Sequence, residues 1–406
     1  MKIKSLSKTE MNTDKTSYSI LFAIAFAHLI NDLLQSILPS IYPLIQQDYS
    51  LSFSQIGMIT FTFQITASLL QPFVGFYTDK KPQPYSFVFG AGFTLIGIVL
   101  LSFATSFYSI LLAAGIIGIG SSIFHPESSK LAYYASGGKR GLAQSIFQLG
   151  GNTGSAIGPL LVALIVAVHG QQHILWFLIA SVIAIFVLLK VGKWYTNYLD
   201  WRATSPNRPQ EEKHNLSRKK VIFSIVILLI LIFSKFFYTA SMTNYFTFYL
   251  IDKFNVTVQE SQFYLFVFLI SVAAGTLLGG PIGDRYGRKL VMKFSILGVA
   301  PFTLLLPYAN FEMTIMLAIL IGLILSSAFS AIIVYAQELL PGRIGMVSGL
   351  FFGFGFGMGG LGSALLGRLA DQTSIGYVFQ ICSFLPLIGL FVYFLPTIDK
   401  KKIKQR

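Results

Sequence analysis

Long apolar blocks recur along this chain, each followed by a short polar break. Twelve can be marked, at about 18–45, 55–77, 85–105, 108–134, 141–168, 173–194, 220–250, 260–282, 290–308, 313–340, 343–368 and 374–397. About 20 consecutive apolar residues cross a hydrocarbon core of ~30 Å as a helix. "VIFSIVILLILIFSKFFYTASM" (221–242) and "MTIMLAILIGLILSSAFSAIIVY" (313–335) have that length and character. Helices satisfy their own backbone hydrogen bonds in lipid, and barrel strands would alternate in polarity rather than run continuously apolar. The predicted fold class is an all-α integral membrane protein.

Composition sharpens this picture. Charged residues make up 11% of the chain and hydrophobic ones 54%, against roughly 25% charged in soluble domains. The net charge of +14 raises the question of nucleic acid, and the placement of the charges answers it. Of 30 Lys and Arg, 27 fall on the N-terminal stretch, on every second polar break and on the C-terminal tail. The opposite breaks hold only Lys253 and Arg368, and Lys235 lies inside an apolar block. That asymmetry is the positive-inside pattern, which predicts cytoplasmic termini and no nucleic-acid partner. Residues 1–17 are basic and polar, and the apolar block after them is too long for a signal-peptide core. An uncleaved anchor behind a cytoplasmic tail is expected. The single cysteine, Cys382, can form no intramolecular disulfide and suits a small buried hydrophobe.

The longest internal polar stretch, "WRATSPNRPQEEKHNLSRKK" (201–220), divides the chain into halves. The expected organisation is a tail (1–17), a six-helix bundle (18–194), a cytoplasmic linker (195–219), a second bundle (220–397) and a basic tail (398–406). The halves repeat one another. Asp79-Lys80 aligns with Asp284-Arg285, and "SSIF" (121–124) with "SSAF" (326–329), both at an offset of 205. "GGKRG" (137–141) then aligns with "PGRIG" (341–345) at 204. Two parallel six-helix repeats, related by a pseudo-two-fold axis, are the architecture of the major facilitator transporters.

"GGPIGDRYGRK" (279–289) resembles the loop signature of the major facilitator superfamily, with Gly280, Asp284, Arg285, Gly287, Arg288 and Lys289 in its positions. The glycines permit a tight turn, and the aspartate can accept hydrogen bonds at a neighbouring helix N-terminus. The first-half copy keeps only Gly75, Asp79 and Lys80, followed by "KPQP", which puts its gating role in doubt. "GNTGSAIGPLL" (151–161) holds Gly154, Gly158 and Pro159, similar to a motif of proton-driven antiporters in that superfamily. Close helix packing explains the same glycines, and the two further glycines usual in the motif are here Val162 and Ala163.

Ionisable residues within the spans are the candidate chemistry, since a charge at mid-membrane costs roughly 2.5–3.5 kcal/mol even on insertion scales. In "FAHLINDLLQSILPSIY" (26–42), His28 and Asp32 share a helical face, with Gln35 about a turn on. Asp32 and Lys235 lie at similar depth in equivalent spans, so a facing pair is expected. It would serve either proton coupling or packing. "HPESS" (125–129) places His125 and Glu127 toward the cytoplasmic end of the fourth span, where Pro126 tends to kink a helix. Glu127 is expected either to carry a proton or to be a solvated helix-end carboxylate. His125 and Glu127 do not share a face, which argues against a preformed metal site. Tyr238, Met242 and Tyr245 follow Lys235 at helical spacing as candidate pocket lining. Glu338, before "LLPGR" (339–343), is expected as a cytoplasmic gate paired with Arg343, Lys139 or Arg140, or as a solvated helix end.

Several long stretches, among them "GSSIFHPESS" (120–129) and "VYAQELLPGRIGMVSGLFFGFGFGMGGLG" (334–362), resemble the fosmidomycin-resistance family of major facilitator efflux transporters over nearly the whole chain. The resemblance implies proton-driven export of a small phosphonate drug across the bacterial inner membrane, by a monomer needing no cofactor. The expected partners are the substrate, protons and the bilayer. Many drug–proton antiporters carry an arginine where this chain has Ala114. Coupling would therefore fall to His28, Asp32, His125 and Glu127, and anion binding to Lys235 with Gln35, Tyr238 and Tyr245. Asp79, Asp284, Arg285, Arg288, Gly154, Gly158, Pro159 and Glu338 are the conformational candidates. Proton-coupled uptake of a small organic anion is the alternative. No metalloprotease, nucleophile-elbow or P-loop motif points to an enzyme.

Overall fold

The computed structural model describes residues 15–41, 45, 48–51, 53–204 and 216–396. All regular structure among them is helical. The first half holds α1 (Tyr18–Ser40), α2 (Phe53–Leu69, continued by Gln71–Lys80), α3 (Ser86–Ser102), α4 (Phe107–Tyr134), α5 (Arg140–Leu161) and α6 (Leu178–Thr204). The second holds α7 (Arg218–Phe254), α8 (Val258–Tyr286), α9 (Arg288–Met292, carried on through a π turn to Ala300–Leu305), α10 (Phe311–Ser326 and Ala328–Leu339), α11 (Ile344–Gln372) and α12 (Ile375–Cys382, then Leu385–Phe394). Ten of these are long and apolar enough to cross a membrane, and α3 is a shorter apolar helix. The remaining one, α5, carries a polar stripe of Gln144, Ser145 and Gln148 that the fold buries.

Helix starts follow side-chain chemistry. Ser106 caps α4 and Thr257 caps α8, each in a reciprocal capping box that satisfies otherwise orphaned backbone donors. In α5, Pro159 removes one N–H from the helical ladder, and the helix leaves Leu161 through a π turn at Val162–Val166. Gly154 and Gly158 face α1. A Cβ on Gly154 would lie 2.0 Å from the carbonyl oxygen of Leu29, so this pair of helices needs glycine to approach so closely.

The expected linker is shorter than its polar composition suggests. Residues 195–204 continue α6 and 218–219 open α7, while 205–215 and the tails 1–14 and 397–406 lie outside the described residues. Aromatic packing carries α6 onward. Tyr198 stacks on Tyr134 at 5.0 Å and on Trp194 at 5.5 Å, and Tyr195 and Tyr198 are buried.

The halves meet along two equivalent helix pairs, α2 with α11 and α5 with α8. One apolar core draws on both halves, from Phe124, Leu131 and Phe147 to Phe329, Val347 and Phe352. Two others are confined to a single half, one around Ile30 and Ile117 and one around Phe246 and Phe379. The shared core includes Tyr198, Val221, Leu339 and Leu395, near the helix ends that carry most of the lysines and arginines.

Candidate functional site: a central cavity above a double latch

A cavity of about 160 Å³ lies between the halves, lined by residues of α1, α5, α7, α8, α10 and α11. His28 and Asp32 enter from α1, Gln148 and Asn152 from α5, and Lys235, Phe236 and Thr239 from α7. His125 of α4 completes a triad, its Nε2 3.4 Å from Asp32 Oδ1 while His28 Nε2 lies 3.2 Å from Oδ2. Both imidazoles are fixed from behind. His28 Nδ1 is 2.7 Å from the Phe147 carbonyl and His125 Nδ1 3.0 Å from that of Ser121. Phe147 stacks on His28 at 4.0 Å, and Phe352 and Phe356 lie 5.4 and 5.2 Å from His125. Three of the four residues expected to carry protons therefore meet at one point. Their ligand atoms all lie within 4.8 Å of one another, a spacing that direct N–H···O contacts and a metal ion would both accept.

Lys235 sits between Phe236 and Phe329, with Nζ 5.0 and 4.8 Å from the ring centres. The expected ion pair with Asp32 is not formed. Both groups line the cavity, but Asp32 is held by the two histidines, and no carboxylate pairs with Lys235 among the described residues. The expected aromatic lining also differs. Tyr238 and Met242 turn into the core of the second half, and the Tyr245 hydroxyl donates to the Ser363 carbonyl at 2.5 Å. The cavity face of α7 runs through 235, 236 and 239 instead. Gln35 is outside the cavity lining, and its side-chain nitrogen is buried without a hydrogen-bond partner.

Glu127 is neither in the cavity nor solvated. It is fully buried, 2.6 Å from Lys130 Nζ, and accepts hydrogen bonds from the hydroxyls of Thr78 and Ser86. Lys130 also reaches Asp79 Oδ1 at 3.8 Å and donates to Thr78 at 3.1 Å. This lysine, counted by its position among the cytoplasmic edge charges, is 1% exposed. Its spacing of i,i+3 from Glu127 puts both on one face, a signal present in the sequence and outweighed there by nearness to the loop.

On the basic side of the cavity the halves are joined twice by the same device. Asp79 of α2 accepts hydrogen bonds from the backbone N–H groups of Gly345 and Met346, at 2.9 and 2.8 Å, at the start of α11. Asp284 of α8 accepts from Gly141 and Leu142, both at 2.9 Å, at the start of α5. A carboxylate is favoured where unpaired N–H groups and the helix dipole converge. Arg288 holds Asp284 at 2.9 Å and Glu338 at 3.3 Å, and Arg140 of the other half reaches Glu338 at 3.6 Å. Glu338 is thus a buried bridge between halves, with Arg140 among its expected partners. Arg285 stacks on Tyr286 instead. Below the cavity, Ser129 of α4 donates to Ser348 of α11 at 3.0 Å, and Gln144 and Gln337 close the network.

Comparison with known proteins agrees with this architecture. The family model described as Major Facilitator Superfamily matches residues 24–257 and 227–406. The fosmidomycin resistance protein of Escherichia coli is 58% identical over 383 residues, covering 94% of each chain. An uncharacterized MFS-type transporter of Bacillus subtilis is 42% identical over 97% of this chain and 96% of its own. Among solved structures, the MFS transporter FucP in its outward conformation superposes with a TM-score of 0.74 at 15% identity, covering 95% of this chain and all of FucP. The human organic anion transporter MFSD10 gives 0.73 at 15% identity, over 94% of this chain and all of that one. At that identity the likeness is one of fold. With a family model spanning nearly all of its length and a close relative along 94% of it, this chain belongs to the major facilitator superfamily of transporters.

Proposed function

We propose that this protein is a secondary active transporter that exports a small anionic drug, a fosmidomycin-like phosphonate, in exchange for protons. The observation that carries the reading is one cavity lined by two kinds of group: Lys235, which has no carboxylate partner among the described residues, and His28 with Asp32, which His125 meets from α4 to complete a proton-accepting triad. The similarity to the E. coli fosmidomycin resistance protein supports the substrate class. Alternating access would rock the two halves about the cavity, with Asp79, Asp284 and Glu338 released and remade at the cytoplasmic face. On this reading the protein works as a monomer in the bacterial inner membrane, with cytoplasmic termini and no cofactor. The triad around Asp32 rather than Glu127 carries the proton, because Lys130 already compensates Glu127.

The test uses energised inside-out vesicles, with internal pH followed by a fluorescent probe. Fosmidomycin is expected to collapse the pH gradient with wild type and not with Asp32→Asn. Glu127→Gln, if it folds, should respond like wild type. A well-expressed wild type that gives no response would sink proton exchange.

A second reading, proton-coupled uptake of a small organic anion, is favoured by a single feature. His28, Asp32 and Lys235 line the same cavity, with His125 against Asp32, so a proton taken up by an imidazole would attract an anion there instead of competing with it.

A further inference from the structure

We infer that Lys235 and the His28–Asp32–His125 triad are the two halves of one dianion site, in which anion binding and proton binding strengthen each other. The inference rests on the second reading above, proton-coupled uptake of a small organic anion, and goes further, to the charge of the substrate and the sign of its linkage to protons.

The argument starts from hydrogen placement. A backbone carbonyl can only accept, so the contacts of His28 Nδ1 with Phe147 O at 2.7 Å and of His125 Nδ1 with Ser121 O at 3.0 Å put a hydrogen on each Nδ1. Each Nε2 then faces an oxygen of Asp32, at 3.2 and 3.4 Å, and neither has another hydrogen-bond partner. An unprotonated Nε2 would set lone pair against lone pair across these contacts. A proton turns each into a charge-assisted N–H···O bond. The triad thus offers two proton positions, and filling both changes its charge from −1 to +1.

Among the described residues, nothing else facing the triad offsets that charge. From α1 the titratable groups are His28 and Asp32 themselves, from α4 His125, and from α7 Lys235. The cavity-lining residues of α5, α8, α10 and α11 are all uncharged. Glu127 and Lys130 compensate each other outside the cavity. His28 and His125 are 2% and 0% exposed, behind aromatic rings. The doubly protonated triad and a protonated Lys235 would therefore present two net positive charges to one small space, with no counter-ion among the described residues. A compact dianionic oxyanion, such as a fully ionised phosphonate, meets that requirement, and a monoanion meets half of it. By reciprocity, each proton the anion helps to hold helps to hold the anion by the same factor.

The experiment is a binding titration of purified, detergent-solubilised protein with fosmidomycin. A chelator is present to remove adventitious metal ions. Affinity is measured from about pH 8 to about pH 6, across the ordinary histidine range, and expressed per concentration of fully ionised ligand. Kd is expected to fall as pH is lowered, by up to about tenfold per pH unit for each linked proton. His125→Gln should flatten that slope while leaving binding measurable, and Lys235→Met should weaken binding at every pH. Where either variant fails to fold, a wild-type slope steeper than about tenfold per pH unit is expected, because Lys235 by itself can supply only one linked proton, and a shallower slope overturns the inference. A Kd independent of pH, or one that rises as pH falls, overturns the inference and leaves the exchange reading standing, since exchange needs protons to oppose the anion. Failure to bind fosmidomycin at any pH removes both.

Discussion

Lys130 shows how much one buried cation can hold. Its ammonium lies 2.6 Å from Glu127 and 3.8 Å from Asp79, and it is 1% exposed. Two carboxylates share it, and the hydroxyls of Thr78 and Ser86 supply further hydrogen bonds to Glu127. Removing one member of such a buried group leaves an uncompensated charge, which costs about 3–5 kcal/mol. Lys130→Met should therefore lower thermal stability in detergent sharply, whereas Lys130→Met combined with Glu127→Gln should recover much of the loss. A single variant that melts with wild type would mean the cluster is not what orders this end of α4. The triad was partly legible at this scale, because His28 and Asp32 are four residues apart on one helix. The arrival of His125 from α4 was not, since it depends on how α1 and α4 pack. The Asp32–Lys235 pair was a reasonable expectation from depth alone. It fails because the histidines reach Asp32 first.

The latches explain why a degenerate motif can keep its geometry. The second-half loop is complete, and Asp284 is braced by Arg288 from its own loop at 2.9 Å. The first-half loop has lost that basic residue to "KPQP", and Lys130 stands near Asp79 from α4 instead. Both copies retain an aspartate, the basic residue next to it (Lys80 or Arg285) and a glycine. A Cβ on Gly75 would sit 2.0 Å from Gly345 O, and one on Gly280 would sit 2.0 Å from Gly141 O. Backbone lies directly against backbone at both places, so a side chain must push the helices apart. Gly280→Val should open the α5–α8 contact at the basic face. The reporter is Ser145→Cys, placed where the Ser145 hydroxyl now accepts from Gly280 N at 2.9 Å. Its labelling by a polar thiol reagent should rise severalfold over the same cysteine beside Gly280, with buried Cys382 giving little background. Unchanged labelling would show that this contact does not seal the face. The repeat offset of 205 predicted equivalent loops. That each aspartate caps a helix of the opposite half follows only from the packing of the halves.

At the scale of the molecule, the apolar cores are fused toward the basic end and separate elsewhere. Ten helices of membrane-spanning length and the shorter apolar α3 were legible because a bilayer imposes a length rule on any chain that crosses it. The conformation was not, because the same sequence must support at least two packings for alternating access. In this one the basic face is closed, by the aspartate latches, by Glu338 and by the Ser129–Ser348 contact. Rigid-body rocking requires that all of these part together. Ser129 Oγ and Ser348 Oγ are 3.0 Å apart across the interface, so cysteines at both positions should oxidise to a disulfide joining α4 to α11. The oxidised protein should stop transporting and recover on reduction, while each single cysteine variant transports with or without oxidant. Full transport by the cross-linked protein would mean that substrate crosses without separation of the halves at this face. The latches would then be structural pins, and the moving part would have to be sought within a half.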